Sequence, residues 1–258
     1  MQARNTENPD DVLKDYDEWH RHMKNAGDAV SALDHPWYES VYREIRDYPA
    51  CRVLEVGCGR GGFAVWLSKN APQFKITALD FSGAAIDIAR EMAAAEGAAV
   101  EFVQGDAQEL PFERESFDLV ISCECMEHVP DPEKMACELA RVLKPDGRLA
   151  LTTPSQLNGM LIAWAHSYIM GRAYNSGAGV QPHENFYFFW TVRRYLRRAG
   201  LVVDRMESST YQWLLLPRVS PAKLCTRQFN RSWAKALAFP FGLQFSFFGT
   251  KPTNNTKE

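Results

Sequence analysis

The sequence predicts an α/β fold: a largely parallel sheet of short apolar strands alternating with helices. Three observations predict it. In Arg52-Val53-Leu54-Glu55-Val56 a short, partly β-branched run leads through Gly57-Cys58-Gly59-Arg60-Gly61-Gly62 into Ala64-Val65-Trp66-Leu67, which reads as a strand, a tight turn and a helix. The alternation of strand and helix patterns then recurs as far as Thr153. Two of the later strands also end in an acid, Asp80 and Asp106, as strands do whose C-terminal ends face a polar ligand.

The glycine-rich turn carries the chemistry. Glycine permits positive φ and close approach of a ligand to the backbone, and the start of a helix offers unpaired N–H groups. Gly57, Gly59 and Gly62 satisfy the dinucleotide pattern G-x-G-x-x-G, while Glu55, Gly57, Gly59 and Gly61 satisfy E-x-G-x-G-x-G. The glycines alone leave both ligand classes open. A carboxylate at Glu55 would repel a pyrophosphate and attract a cation.

At 258 residues, 46% hydrophobic and 24% charged, the chain is expected to form one domain with embellishments: an N-terminal helical cap over 1–48 and a main domain over 49–258, with insertions at about 155–186 and 209–241. A net charge of −3 argues against a nucleic-acid partner. Charge is uneven, with 11 acids against 6 Lys or Arg in residues 1–50 and 10 Lys or Arg against 2 acids in 193–235. The six cysteines contain no C-x-x-C pair, so neither zinc nor a disulfide framework is indicated, and a reducing, cytoplasmic compartment is expected. No apolar run reaches the ~20 residues that span a bilayer.

In chain order, residues 1–12 read as disordered and Val12–Tyr48 as helices that cover the pocket. His20, His22, His35, Trp37 and Tyr38 lie there and could touch cofactor or acceptor, although a surface or packing role is the commoner one for these residue types. A strand over Gln73–Asp80 places Asp80 18 residues beyond Gly62, where a carboxylate can accept from two sugar hydroxyls. A helix over Gly83–Glu96 and a strand over Ala99–Gln104 lead to Asp106, able to accept from an adenine amino group, and Ala107, whose backbone N–H can reach the ring. The strand Ser116–Cys123 ends in the loop Glu124-Cys125-Met126-Glu127-His128-Val129. A helix from Pro132 to Leu143, the turn Lys144-Pro145-Asp146-Gly147 and a strand over Arg148–Thr153 follow.

Glu55-x-Gly-x-Gly-x-Gly, Leu79-Asp80-Phe81-Ser82, Gly105-Asp106-Ala107-x-x-Leu-Pro-Phe, Phe117-Asp118, Glu127-His128-Val129 and Leu143-Lys144-Pro145-x-Gly147 together resemble the class I S-adenosylmethionine (SAM) dependent methyltransferases, especially the ubiquinone-biosynthesis type, over residues 50–155. The resemblance implies a Rossmann-like seven-stranded sheet ordered 3-2-1-4-5-7-6 with strand seven antiparallel, flanked by helices and carrying helical lid insertions. Leu201–Met206 and Leu243–Phe248 supply the last two strands. It further implies SAM as cofactor, S-adenosylhomocysteine as product, and a cofactor site of Glu55, Gly57, Cys58, Gly59, Gly61, Asp80, Phe81, Asp106, Ala107 and Cys123.

Methyl transfer needs a positioned nucleophile, and a phenol or acid must also lose a proton. His128 and His183 are the candidate bases. Glu124, Glu127 and His128 form E-x-x-E-H, which resembles a divalent-metal motif of ubiquinone-pathway O-methyltransferases; Mg²⁺ or Zn²⁺ is the alternative to a base alone. The expected acceptor is a small, largely apolar molecule methylated at oxygen: a quinone precursor, a secondary metabolite or a lipid-linked molecule. The resemblance implies a variable, acceptor-facing region after strand five, which here holds the apolar stretch 157–170 and the glycine-rich loop 171–179; the helix Thr191–Ala199 follows, and its Arg193, Arg194, Arg197 and Arg198 form a basic face of the kind that is usually solvated. Lys223, Arg227, Arg231 and Lys235 alternate with Cys225, Phe229, Trp233 and Leu237 at helical spacing, a pattern that suits either packing or peripheral contact with an anionic membrane. A nicotinamide-dependent oxidoreductase and a non-catalytic SAM-binding subunit are the competing function classes.

Overall fold

The computed structural model describes residues 9–22, 35–155, 185–211, 222–225 and 239–253. Helices α1 (Pro9–His22) and α2 (Pro36–Ile45) precede the sheet. Then come β1 (Cys51–Val56), α3 (Gly62–Asn70), β2 (Phe74–Asp80), α4 (Gly83–Glu96), β3 (Val100–Gln104), β4 (Phe117–Cys123), α5 (Pro132–Val142) and β5 (Leu143–Pro154). The described remainder is α6 (Phe189–Arg198), β6 (Val202–Tyr211), β7 (Ala222–Cys225) and β8 (Gln244–Thr250).

The sheet runs β3-β2-β1-β4-β5-β8-β6-β7. The first five strands are parallel, and β8 pairs antiparallel with both β5 and β6. This is the expected order with its antiparallel last strand, β8 standing for strand seven. The short β7 adds an edge strand beside β6, in antiparallel register from Ser209↔Cys225 to Tyr211↔Ala222.

Burial explains why these segments form these elements. The inner strands read as continuous apolar runs because both faces are covered: Val53, Leu54 and Val56 of β1 and Leu119, Val120 and Ile121 of β4 are all buried. Val41 and Ile45 of α2 join the core on the α3 and α4 side, and Val192 and Leu196 of α6 join it on the α5 side. Caps set the helix starts. Ser82 accepts from Ala85 N–H, and Asp131 accepts from the N–H groups of Glu133 and Lys134 with Pro132 in the first turn.

Three expectations change. The helical region predicted from Val12 starts at Pro9, so residues 9–12, read as disordered, belong to α1. The predicted turn at Lys144–Gly147 is an irregularity within β5: the register shifts between Phe117 and Leu119, and Asp146 takes φ 59. Residues 222–225 are a strand, so the helical repeat expected from Lys223 does not begin there; extended backbone alternates side chains every two residues and cannot carry a period near four. The rest of that repeat, with Arg227, Phe229, Arg231, Trp233, Lys235 and Leu237, lies outside the described residues, as do 157–170, 171–179 and His183.

Candidate active site

The site is built where β1, β2 and β4 end. After β1 the chain turns through Gly57, Gly59 and Gly61 at φ 78, 54 and 78. A Cβ on Gly57 would lie 2.5 Å from both Cβ and Sγ of Cys125, so the turn and the loop after β4 touch across the pocket floor. Gly59 is different: the nearest side chain to its absent Cβ is His20, at 3.8 Å. The N–H groups of Gly57 and Cys58 both donate to the Leu79 carbonyl, at 2.8 and 3.0 Å, which ties this turn to the end of β2.

Three of the expected acids stand at neighbouring strand ends. Asp80 accepts from Gly59 N–H at 2.7 Å on one oxygen and from Ser82 N–H at 2.9 Å on the other. Each carboxylate oxygen keeps a further lone pair for a ligand. Glu55 is 2% exposed, and its Oε2 has no hydrogen-bond partner. Burial, reinforced by the charge of Asp80, pushes the Glu55 carboxyl up to about 8. A buried acid with an unused oxygen is a poor structural element and a good place for a cationic ligand. Asp106 is engaged locally, accepting from the Gln108 backbone at 2.8 Å and from its side-chain amide at 3.1 Å, beside buried Ala107. Phe81 packs edge-on against Tyr16, with ring centroids 6.3 Å apart. Cys58 and Cys123 are buried, and burial raises both thiols, so each is uncharged.

The loop after β4 contains a 3-10 turn over Met126–His128. Its three candidate metal ligands do not converge. Thr152 Oγ1 donates to Glu124 Oε1 at 2.9 Å, whereas Thr153 Oγ1 donates to Glu127 Oε2 at 3.1 Å. Adjacent threonines leave β5 on opposite faces and draw the two glutamates apart. His128 Nε2 is 3.7 Å from Glu127 Oε1. Among the described residues no three acidic, histidine or cysteine side chains are grouped to hold a metal ion.

The helices before the sheet reach this site at residues for which the sequence favours packing over ligand contact. Tyr38 of α2 stacks on Phe63 at 4.5 Å, and its phenol lies within the fields of Glu55, Cys123 and Glu124. His20 of α1 lies beside Gly59 and within the field of Asp80. Asp17 accepts from Ser82 Oγ and from Ala84 N–H, and Tyr16 OH donates to the His128 carbonyl at 3.5 Å. In the sequence, the only trace of this is the density of aromatic, histidine and acidic residues before β1.

An open α/β sheet with a glycine-rich first turn, acids at successive strand ends and an antiparallel β8 inserted beside β5 is the class I methyltransferase fold. Residues 54–151 match the family described as a methyltransferase domain. The demethylmenaquinone methyltransferase of Deinococcus radiodurans is 32% identical over 158 residues, covering 61% of this chain and 66% of that protein. The fatty-acid O-methyltransferase of Mycolicibacterium smegmatis is 41% identical over 106 residues, covering 41% of this chain and 38% of that protein. A SAM-dependent methyltransferase of known structure from Thermotoga maritima superposes with a TM-score of 0.62 at 19% identity, over 93% of this chain and 99% of that one. The chain thus spans less than two thirds of the length of these curated relatives. By its fold and by residues 54–151 it carries a class I methyltransferase domain, a family whose members use SAM.

Proposed function

We propose that the protein transfers a methyl group from SAM to a small, largely apolar acceptor at oxygen. The observation that carries the reading is the buried, half-unpartnered Glu55 carboxyl group at the foot of the glycine turn, one strand from Asp80. When bound, SAM supplies a methyl carbon on a sulfonium, open to in-line displacement. In this reading Glu55 faces the cationic end, Asp80 accepts from the sugar hydroxyls, and Asp106 with the Ala107 N–H reads the adenine. Gly57, Gly59 and Gly61 bring the backbone within contact, with Cys58, Phe81 and Cys123 as walls. His128 takes the acceptor's proton, and Glu127 beside it stabilises the imidazolium so formed. His183, in the connection at about 155–186, is the alternative base. The helices of residues 1–48 act as a cap, and the connections at about 155–186 and 209–241 shape the acceptor side.

The acceptor class rests on the two relatives, one named for demethylmenaquinone and one for a fatty acid. Contact with an anionic membrane, from which such a molecule would be drawn, is favoured by α6. Trp190 there is 53% exposed and stacks on Phe188, and Arg193, Arg194, Arg197 and Arg198 occupy the same solvent side. No helix among the described residues is long and apolar enough to cross a membrane.

The test is to incubate the protein with methyl-labelled SAM and, separately, a demethylmenaquinol and a long-chain fatty acid, then identify labelled products by mass spectrometry. Label on the carboxylate oxygen of the fatty acid or on a hydroxyl oxygen of the quinol is expected only with SAM and protein present, and label on the quinol's ring carbon instead would refute transfer to oxygen. Label confined to water-soluble polar products from a cell extract would refute the apolar-acceptor reading.

A further inference from the structure

We propose that His20 of α1 is a binding residue for the vicinal hydroxyls of the donor's ribose, so that α1 supplies a wall of the cofactor site; this rests on the cofactor reading above. Nothing in the motifs of residues 54–151 reaches this position, which lies 34 residues before them.

His20 is 8% exposed, and its Nδ1 is buried without a hydrogen-bond partner. A buried ring nitrogen left unsatisfied is costly and marks either a fault in packing or a place kept for a ligand. The surroundings decide between these. The ring lies over Gly59, on the open side of that glycine, and Gly59 N–H holds Asp80. The imidazole and the Asp80 carboxylate lie within each other's fields. A neutral ligand group that donates to a carboxylate and also pairs with an imidazole nitrogen is a hydroxyl, and a sugar offers two on adjacent carbons.

The helix is held so as to keep the ring there. The Arg60 guanidinium donates to the His20 carbonyl. Asp17 takes the free N–H of Ala84 and the hydroxyl of Ser82 at the start of α4, and Tyr16 reaches the His128 carbonyl. These contacts join α1 to the loops after β1, β2 and β4, the three that frame the donor site.

The experiment is calorimetric titration with S-adenosylhomocysteine and with its 2′,3′-dideoxyribose analogue, on wild type, His20→Ala and His20→Asn. His20→Ala is expected to bind S-adenosylhomocysteine about tenfold or more weakly, with no added loss for the dideoxy analogue. His20→Asn, whose amide can take the position of Nδ1, should recover most of the difference. Equal losses for both ligands, or no loss, would overturn the assignment. Should His20→Ala not fold, His20→Gln, whose longer arm misplaces the amide, serves as the loss variant under the same criteria. Failure of the wild type to bind S-adenosylhomocysteine at all would overturn the cofactor reading itself, and this proposal with it.

Discussion

Tyr38 lies flat against Phe63, with ring centroids 4.5 Å apart and planes inclined by 9°. The stack fastens α2 to the first turn of α3 and carries the phenol to the acids at the end of the sheet, where Glu55, Cys123 and Glu124 act on it. Burial raises the Tyr38 phenol well above its ordinary value, so it remains a neutral donor or acceptor beside them.

Glu55 gives the protein a defined pH response. Its carboxyl is lifted from 4.5 to about 8, so the neutral form is favoured in the folded, ligand-free protein. For an acid raised on folding, the stability it allows is complete below its unfolded value and is lost as pH rises through about 8. Thermal melts of the ligand-free wild type should therefore fall between pH 5 and 8.5, by up to ~1.4 kcal/mol per pH unit from this group, while those of Glu55→Gln fall less. Binding of the cationic donor needs the carboxylate. SAM affinity should rise several-fold from pH 6.5 to 8.5 relative to that of S-adenosylhomocysteine, which lacks the sulfonium charge, and Glu55→Gln should abolish the difference in calorimetry.

Gly57 and Gly97 separate backbone strain from collision. Both have positive φ, 78 and 63, but a Cβ on Gly57 meets Cys125 at 2.5 Å whereas one on Gly97 meets nothing within 4 Å. Gly97→Ala should cost about 1 kcal/mol, roughly 2–4 °C in melting temperature. Gly57→Ala should cost at least twice as much, because the collision adds to the strain, and should also weaken S-adenosylhomocysteine binding. Equal melting temperatures would contradict the contact between the first turn and the loop after β4.

His128 is tested by splitting kcat from cofactor affinity. With a labelled hydroxyl acceptor, His128→Ala should lower kcat by about 10²–10⁴ while S-adenosylhomocysteine binding changes less than about threefold. A variant that lost binding and turnover together would place His128 among residues that hold the loop, through its 3.7 Å approach to Glu127, and not among those that move a proton.

Trp190 and the arginines of α6 predict a salt-dependent response to lipid. Co-sedimentation with phosphatidylglycerol vesicles should exceed that with phosphatidylcholine, weaken at high salt, and fall several-fold in Trp190→Ala or in Arg193→Glu with Arg194→Glu. Equal sedimentation with both vesicle types would leave α6 as an ordinary solvent-facing helix.

Most of the sheet was legible because each inner strand is a contiguous buried run whose composition carries its own signal: Val53–Val56 and Leu119–Cys123 read as strands without any partner being known. The helix Gly83–Glu96 was legible to the residue, since Ser82 caps it and Gly97 ends it at φ 63. The edge strand Ala222–Cys225 was not. Its pairing to Ser209 and Tyr211 is decided by a neighbour, and its few residues fitted a helical spacing as well as an extended one. The same limit applies to the site. Glu55, Asp80 and Asp106 announce themselves by falling at strand ends, whereas His20 and Tyr38 acquire their positions only when helices from before the sheet dock on it. The parting of Glu124 from Glu127 was equally hidden, because it depends on which face of β5 each threonine leaves.

The attachment of α1 also constrains how the molecule is made. Arg60, Ser82 and His128 follow their α1 partners by 40, 65 and 112 residues, so the ribosome delivers the helix well before anything it rests on. A 14-residue helix is marginal by itself in water. It must wait, unseated, until residue 128 has been made and the strands behind it have assembled.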